Sequence, residues 1–178
     1  MLLWIDLETT GLSPKDDYIL EVAWTITDNS LITIDDVYTH VAEISPAAWV
    51  QLTQTPEVLE MHRTSGLLTE IDEAKTLIRL EDIEDQIISQ LKEVGLEEPI
   101  IVAGFSVHFD LSFIHEHMPR LARMLSHRTY DVSTLKMFFK SVYVDHHVEN
   151  YGKHRAHYDT VEALSIAREY RDYILKGI

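Results

Sequence analysis

The stretch that most constrains the fold is the first one, Leu2-Leu3-Trp4-Ile5-Asp6-Leu7-Glu8, followed by the turn Thr9-Thr10-Gly11-Leu12. Leu2, Leu3, Trp4 and Ile5 lead into it, so a strand buried on both faces is expected, as central strands are. Residues i and i+2 of a strand point the same way. Asp6 and Glu8 therefore leave the sheet side by side, where each resists ionisation unless a cation lies between them. Hard oxygen ligands suit Mg²⁺ or Mn²⁺. The alternative, on this stretch alone, is two solvent-facing acids at a strand end.

A chain of 178 residues is expected to form one domain, 1–178, with enough length for a sizeable core. Its 46% hydrophobic and 25% charged residues are those of a soluble globule. No apolar run is long enough to span a bilayer, and with Met1 directly before the first strand no leader is expected. The absence of cysteine excludes disulfides, thiolate metal sites and a thiol nucleophile, and a cytoplasmic protein is expected. The net charge of −15 argues against a long nucleic-acid footprint. Residues 118–155 nevertheless carry seven Lys/Arg against three acids, a segment of +4 on a remainder of −19. A basic patch on an acidic body suits a small anionic ligand better than a polymer.

Tyr18 to Asp28 reads as a second strand, and Asp28-Asn29-Ser30 as a turn into a third, Leu31 to Val41. Pro46 and Pro56 punctuate a helical stretch whose second part ends near Ser65-Gly66. Over 79–94, Leu80, Ile83, Ile87, Ile88, Leu91 and Val94 form an apolar stripe opposite Glu81, Asp82, Glu84, Asp85 and Lys92, with Gly95 as the stop. Ile100 to Ser106 reads as a buried strand, followed by a helix from Asp110 to His117 and a restart at Pro119. A short strand closes at Tyr130-Asp131-Val132, and Ser133 is a candidate N-cap for Thr134 to Ser141. Residues 142–156 are polar and irregular. The last helix begins near His157, with Val161, Leu164, Ala167 and Ile174 spaced for one face. This order predicts an α/β fold, a mixed sheet flanked by helices, with chemistry in the loops at strand ends.

Three separated pieces fit one constellation: Asp6-x-Glu8, Asp110 after the buried strand, and His154-x4-Asp159 entering the last helix. Four acids converging on one sheet edge suit two divalent ions, about 3.5–4 Å apart, polarising a phosphodiester. A histidine is a natural proton acceptor from the attacking water. Singly, Asp110 fits a helix cap, Asp159 a first-turn acid and His154 a solvated loop residue.

Asp6-Leu7-Glu8-Thr9-Thr10-Gly11, Gly104-Phe105-Ser106-Val107-His108-Phe109-Asp110 and His154-Arg155-Ala156-His157-Tyr158-Asp159 resemble the three motifs of the DEDD 3′→5′ exonucleases, histidine branch. Met61-His62-Arg63-Thr64-Ser65-Gly66-Leu67 and Asp131-Val132-Ser133-Thr134-Leu135-Lys136 extend the resemblance to the oligoribonucleases, which cleave very short RNA oligomers. The resemblance implies an RNase H-like fold, two Mg²⁺ or Mn²⁺ ions and a homodimer. It assigns Asp6, Glu8 and Asp159 to the ion that binds the nucleophilic water, Asp6 as the bridge, and Asp110 to the second ion. His154 becomes the general base. Leu12 and His62 correspond to base-packing residues, and Ser106, Arg128, Ser133 and Thr134 to a cap on the 5′-phosphate of a dinucleotide. Phe105 stands where asparagine is usual, Thr9 where methionine is, and His127 where an aromatic from the partner subunit is.

Thr9 and Phe105 are more like the pattern of proofreading exonucleases, so a DNA exonuclease acting on longer single strands is the alternative. A non-catalytic nucleotide- or protein-binding module is a third reading, opposed by the complete set of acids and histidine. Asp145-His146-His147 spells the signature of another phosphoesterase family without that family's companion motifs, and is read as solvated loop. His40, His108, His115, His117 and His157 are read as surface or satisfied histidines, Trp4, Trp24 and Trp49 as core or subunit contacts, and the acidic face of helix 79–94 as its wet side.

Overall fold

The computed structural model describes residues 1–73, 77–95, 98–142 and 153–176. One mixed sheet runs through it, with β1 (Leu2–Thr9) in the middle. β2 (Ile19–Thr27) pairs antiparallel to β1, and β3 (Tyr38–Val41) antiparallel to β2. On the other side β4 (Ile100–Gly104) runs parallel to β1, and β5 (Leu125–Asp131) parallel to β4. The C-terminal ends of β1, β4 and β5 therefore share one edge of the sheet, where open α/β sheets place their chemistry.

The alternation of β1 divides its side chains between two cores. Leu3, Ile5 and Leu7 pack with Val22, Trp24 and Ile26 of β2, against α4 (Leu80–Glu93), α5 (His108–His117) and α6 (Pro119–Ala122). Leu2 and Trp4 face the other way, onto α7 (Val132–Val142) and α8 (Ala156–Leu175), beside Phe139, Ala163, Leu164, Ala167 and Tyr170. Asp6 and Glu8 continue that second row beyond the apolar packing. A third cluster holds α1 (Pro46–Gln54), α2 (Pro56–Thr64) and α3 (Leu67–Glu73) against Leu20 and Val41. Gly104 matters because β4 crosses close to β1 beside Asp6. A Cβ there would lie 2.8 Å from the Ile5 carbonyl oxygen.

Several expectations are corrected. The third strand covers only Tyr38–Val41. Asp28 Oδ1 accepts from the N–H groups of both Ser30 and Ile32, and Leu31 takes φ +62°, so the chain turns where a strand would begin. β5 ends at Asp131, and Val132 opens α7 instead of closing the strand. Asp131, not Ser133, accepts from the Thr134 N–H (2.9 Å). On α8, Val161 and Ile174 are exposed; the buried face is Thr160, Ala163, Leu164, Ile166, Ala167 and Tyr170, whose small residues let the helix lie close on β1 and β2.

Glu84 is not on the wet side of its helix. It is buried, and its carboxylate accepts from the backbone N–H groups of Arg120 (2.7 Å) and Leu121 (2.9 Å) and from Arg120 Nε (2.7 Å). Arg120 and Arg155 are thus spent on internal ion pairs, and the basic segment is less of a patch than its sequence suggests. Trp4 and Trp24 are core residues. His40 pairs with Gln86, His117 with the Pro14 carbonyl and His157 with Thr39. Asp145-His146-His147 lies outside the described residues. No helix among the described residues is long and apolar enough to cross a membrane.

Candidate active site

Asp159 lies in the first turn of α8, which packs on the face of β1 that carries Asp6 and Glu8. Carboxylate oxygens of Asp6, Glu8 and Asp159 come within 4.8 Å of one another. Asp110 reaches the same place from the opening of α5, and its Oδ1 accepts from the Leu7 N–H (3.0 Å). That bond fixes the buried carboxyl at the backbone between Asp6 and Glu8.

The four acids repel one another in a desolvated site. Burial, then Asp159, Glu21 and Asp110, pushes Glu8 up to about 8, against the opposing pull of Arg155. Asp110 is pushed up to about 8, chiefly by burial, while N–H donors from its own residue and Leu7 pull the other way. Burial first, then Asp110, Glu8 and Asp159, raises Asp6 well above the carboxylate range. Asp159 is raised by burial, opposed by the Lys153 N–H and by His154. Four oxygen donors crowded in this way fit a hard divalent cation, which would remove the conflict that raises them.

His154 precedes Arg155 and α8 on the exposed loop, with φ +51°, a left-handed conformation uncommon for a side-chain-bearing residue. It borders a groove of about 930 Å³ between that loop and α2, with Met61, Thr64, Arg155 and Tyr158 among its lining. A smaller slot of about 220 Å³ opens beside Glu8, walled by Leu12, Val58, Met61 and Phe109. Leu12 is 81% exposed at its rim.

His62, expected beside a base, is instead fully enclosed. Its Nε2 sits 2.8 Å from the Thr9 carbonyl and must carry the proton, because a carbonyl only accepts. That leaves Nδ1 without a hydrogen-bond partner, 3.8 Å from Glu8 Oε2. Burial lowers the imidazole's pKa, which favours the neutral ring, and the ring braces the Thr9 turn from behind. Ser106 and Ser133 do meet: the Ser106 N–H donates to Ser133 Oγ, and the two hydroxyls are 3.1 Å apart. Thr134 is exposed beside them in the first turn of α7. Arg128 is exposed on the edge strand β5, which leads into α7.

Two residues here were missed from sequence. Glu21 is a fully buried acid and the one charged residue of β2, directly opposite Glu8 in the ladder, and it binds Arg155. A charge inside so apolar a strand is the signal that identifies it. Asp17 organises the turn after β1, accepting from Thr10 Oγ1 and the Ser13 N–H (both 2.9 Å). A Cβ on Gly11 would lie 2.5 Å from that carboxylate, so the turn needs glycine.

A family model described as Exonuclease matches residues 3–167. The oligoribonuclease of Corynebacterium diphtheriae is 37% identical over 175 residues, 96% of this chain and 81% of that protein. That of Streptomyces coelicolor is 35% identical over 178 residues, 97% and 86% of the two chains. A probable oligoribonuclease of Schizosaccharomyces pombe is 31% identical over 98% of this chain and 68% of its own. Among solved structures, an exonuclease I superposes with a TM-score of 0.67 at 14% identity, over 98% of this chain and 43% of that one. The Methylocaldum szegediense exonuclease I gives 0.59 at 19%, over 95% and 35%. At that identity, and with less than half of those chains covered, they establish the RNase H-like fold. The match to the exonuclease model and the near-full-length identity to the curated relatives together place this chain in the oligoribonuclease family, phosphodiester hydrolases of the exonuclease superfamily.

Proposed function

We propose that this chain is a cytoplasmic 3′→5′ exoribonuclease, a single domain that hydrolyses very short oligoribonucleotides, dinucleotides above all, to 5′-mononucleotides. The observation that carries the reading is the cluster of Asp6, Glu8 and Asp159, with Asp110 held at the Leu7 N–H and the exposed His154 near enough to Asp159 to oppose its rise. Two Mg²⁺ or Mn²⁺ ions held by these carboxylates would supply charge neutralisation at the scissile phosphate and a more acidic attacking water. By the resemblance, Asp6, Glu8 and Asp159 would hold the ion on the water's side, and Asp110 would help to hold the other. His154 accepts the water's proton as the water oxygen bonds to phosphorus. The bond from phosphorus to the 3′-oxygen of the upstream nucleotide breaks, and that oxygen takes a proton from solvent water, leaving a 5′-mononucleotide and a free 3′-hydroxyl.

Leu12 and the apolar slot behind it, rather than the enclosed His62, offer the terminal base its seat. Ser106, Ser133 and Thr134 supply hydroxyl donors for the 5′-phosphate of a dinucleotide. Arg128 has no ion-pair partner among the described residues and completes the cap as its cation. A homodimer is supported by the resemblance and by the exposed Met137 and Phe138 of α7. Sedimentation at micromolar concentration tests it.

The test of substrate is a rate series on two-, five- and twenty-nucleotide RNA and DNA with Mg²⁺ or Mn²⁺. A steep preference for the RNA dinucleotide, abolished by chelation, is expected. Faster cleavage of long DNA would favour the proofreading-like alternative, to which Thr9 and Phe105 point.

A further inference from the structure

The residue after the proposed general base is tied down more heavily than a loop residue needs to be. Arg155 donates from Nε to both oxygens of Glu21 (3.1 and 3.2 Å), and from Nη2 to Glu21 Oε1 (2.7 Å) and Glu70 Oε2 (2.6 Å). Glu21 also accepts from the Ala156 N–H (2.8 Å). One fully buried carboxylate on β2 thus grips both the side chain of residue 155 and the backbone of residue 156. The Glu70 arm spans to α3. On the other side of His154, the Lys153 N–H lies 3.4 Å from Asp159 Oδ1, which turns the loop back onto its own helix.

His154 takes φ +51° between these anchors. Such a conformation persists only where the surroundings over-determine it. Glu21 is the cross-strand partner of Glu8. The clamp therefore references the imidazole to the strand pair that carries the carboxylates. The Glu84–Arg120 pair, equally bonded, holds no such residue and is a structural counterpart.

We propose that Arg155, through Glu21 and Glu70, is the positioning residue that sets His154 over the carboxylate cluster. The inference rests on the exonuclease reading given above. Arg155→Lys keeps a charge for buried Glu21 and loses the planar fork. Turnover of a two-nucleotide RNA with Mn²⁺ is expected to fall by about tenfold to a hundredfold, because small misplacements of a catalytic group cost that much. KM, Mn²⁺ affinity by calorimetry and the melting temperature are expected to stay near those of the unaltered chain. In a His154→Ala background, already slower by about a hundredfold or more, Arg155→Lys is expected to have no further effect. Contacting groups that act as one unit give such non-additive cycles.

An equal loss in both backgrounds, or no loss in either, overturns the proposal. Should Arg155→Lys fail to fold, Glu70→Gln removes only the half-exposed arm and is expected to show the same pattern with a smaller loss; additivity there overturns it too. If the unaltered chain releases no mononucleotide, the exonuclease reading falls separately. The clamp is then judged on metal-free protein by the His154 imidazole ¹H–¹⁵N resonance, identified by its loss in His154→Ala. That resonance is expected to shift or broaden in Arg155→Lys, and an unchanged one overturns the proposal.

Discussion

Glu8 and Glu21 face each other across the β1–β2 ladder, yet their surroundings are opposite in kind. Glu21 receives a guanidinium and a backbone N–H. Glu8, one strand away, sees three other carboxylates and the buried His62 imidazole, and burial pushes it up to about 8. The sheet thus separates an acid that is satisfied within the protein from one that still lacks a cation.

This separation has a measurable pH signature. Glu8 and Asp110 rise from ordinary values of 4.5 and 3.8 to about 8, so the folded chain holds protons that the unfolded chain has released. Their contribution to stability is full below the unfolded values and is lost as pH rises through the folded ones. The metal-free protein is expected to melt at a higher temperature near about pH 5 than near about pH 8 on account of these groups. Mg²⁺ or Mn²⁺ should restore the loss at the upper end. Calorimetry near neutral pH, in buffers of different ionisation enthalpy, should register protons released on ion binding. Metal-free melting that climbs from about pH 5 to about pH 8 would contradict the electrostatics described.

Asp159→Asn separates function from fold. The amide keeps the shape of the side chain and removes one of the mutually repelling charges. Charge stabilisation at such a centre is worth several kcal/mol, so hydrolysis of a dinucleotide is expected to drop by about a thousandfold or more. The metal-free melting temperature at alkaline pH should stay level or rise. A large fall in melting temperature would make Asp159 a structural acid instead.

The parts legible in sequence were those decided locally. Asp6-x-Glu8 on an apolar strand needs only period-two alternation to set both carboxylates on one face, and α4 announces itself by its stripe. What escaped depended on partners far along the chain. Leu31–Asp36 has the apolar residues of a strand, but Asp28 captures its N–H groups locally. Glu84 looks solvated because its partners lie on α6, 36 and 37 residues away. Arg155 reads as free basic charge until Glu21, 134 residues distant, comes beside it. His62 resembles a substrate contact by motif, yet folding tucks its ring under the Thr9 carbonyl.

Glu84 offers the structural control. Its carboxylate satisfies two backbone donors at the start of α6 and the Arg120 side chain, with only 3% of the residue exposed. Removing one partner of a buried, hydrogen-bonded pair costs about 3–5 kcal/mol. The half-exposed Arg120 can regain water, so Glu84→Ala is expected near the lower end, about 3 kcal/mol, by denaturant unfolding. Turnover under conditions where the variant remains folded should be unchanged, since α6 lies away from the carboxylates. A selective loss of turnover would tie this helix to the site.

Leu12 offers the opposite case, a residue expected to matter only when substrate is present. With 81% of it exposed, its side chain contributes little packing, and Leu12→Ala should change stability by no more than about 0.5 kcal/mol. The same exposure places it at the rim of the slot that Val58, Met61 and Phe109 wall beside Glu8. An apolar contact with a base is felt alike in the bound substrate and in the transition state. Its loss should therefore raise KM by about three- to tenfold with kcat nearly unchanged. The effect should be shared by RNA and DNA dinucleotides, because a leucine side chain makes no hydrogen bond to a 2′-hydroxyl. A fall in kcat at constant KM would show instead that Leu12 acts on the reacting phosphate, by holding the Thr9–Gly11 turn and the Glu8 carboxylate behind it.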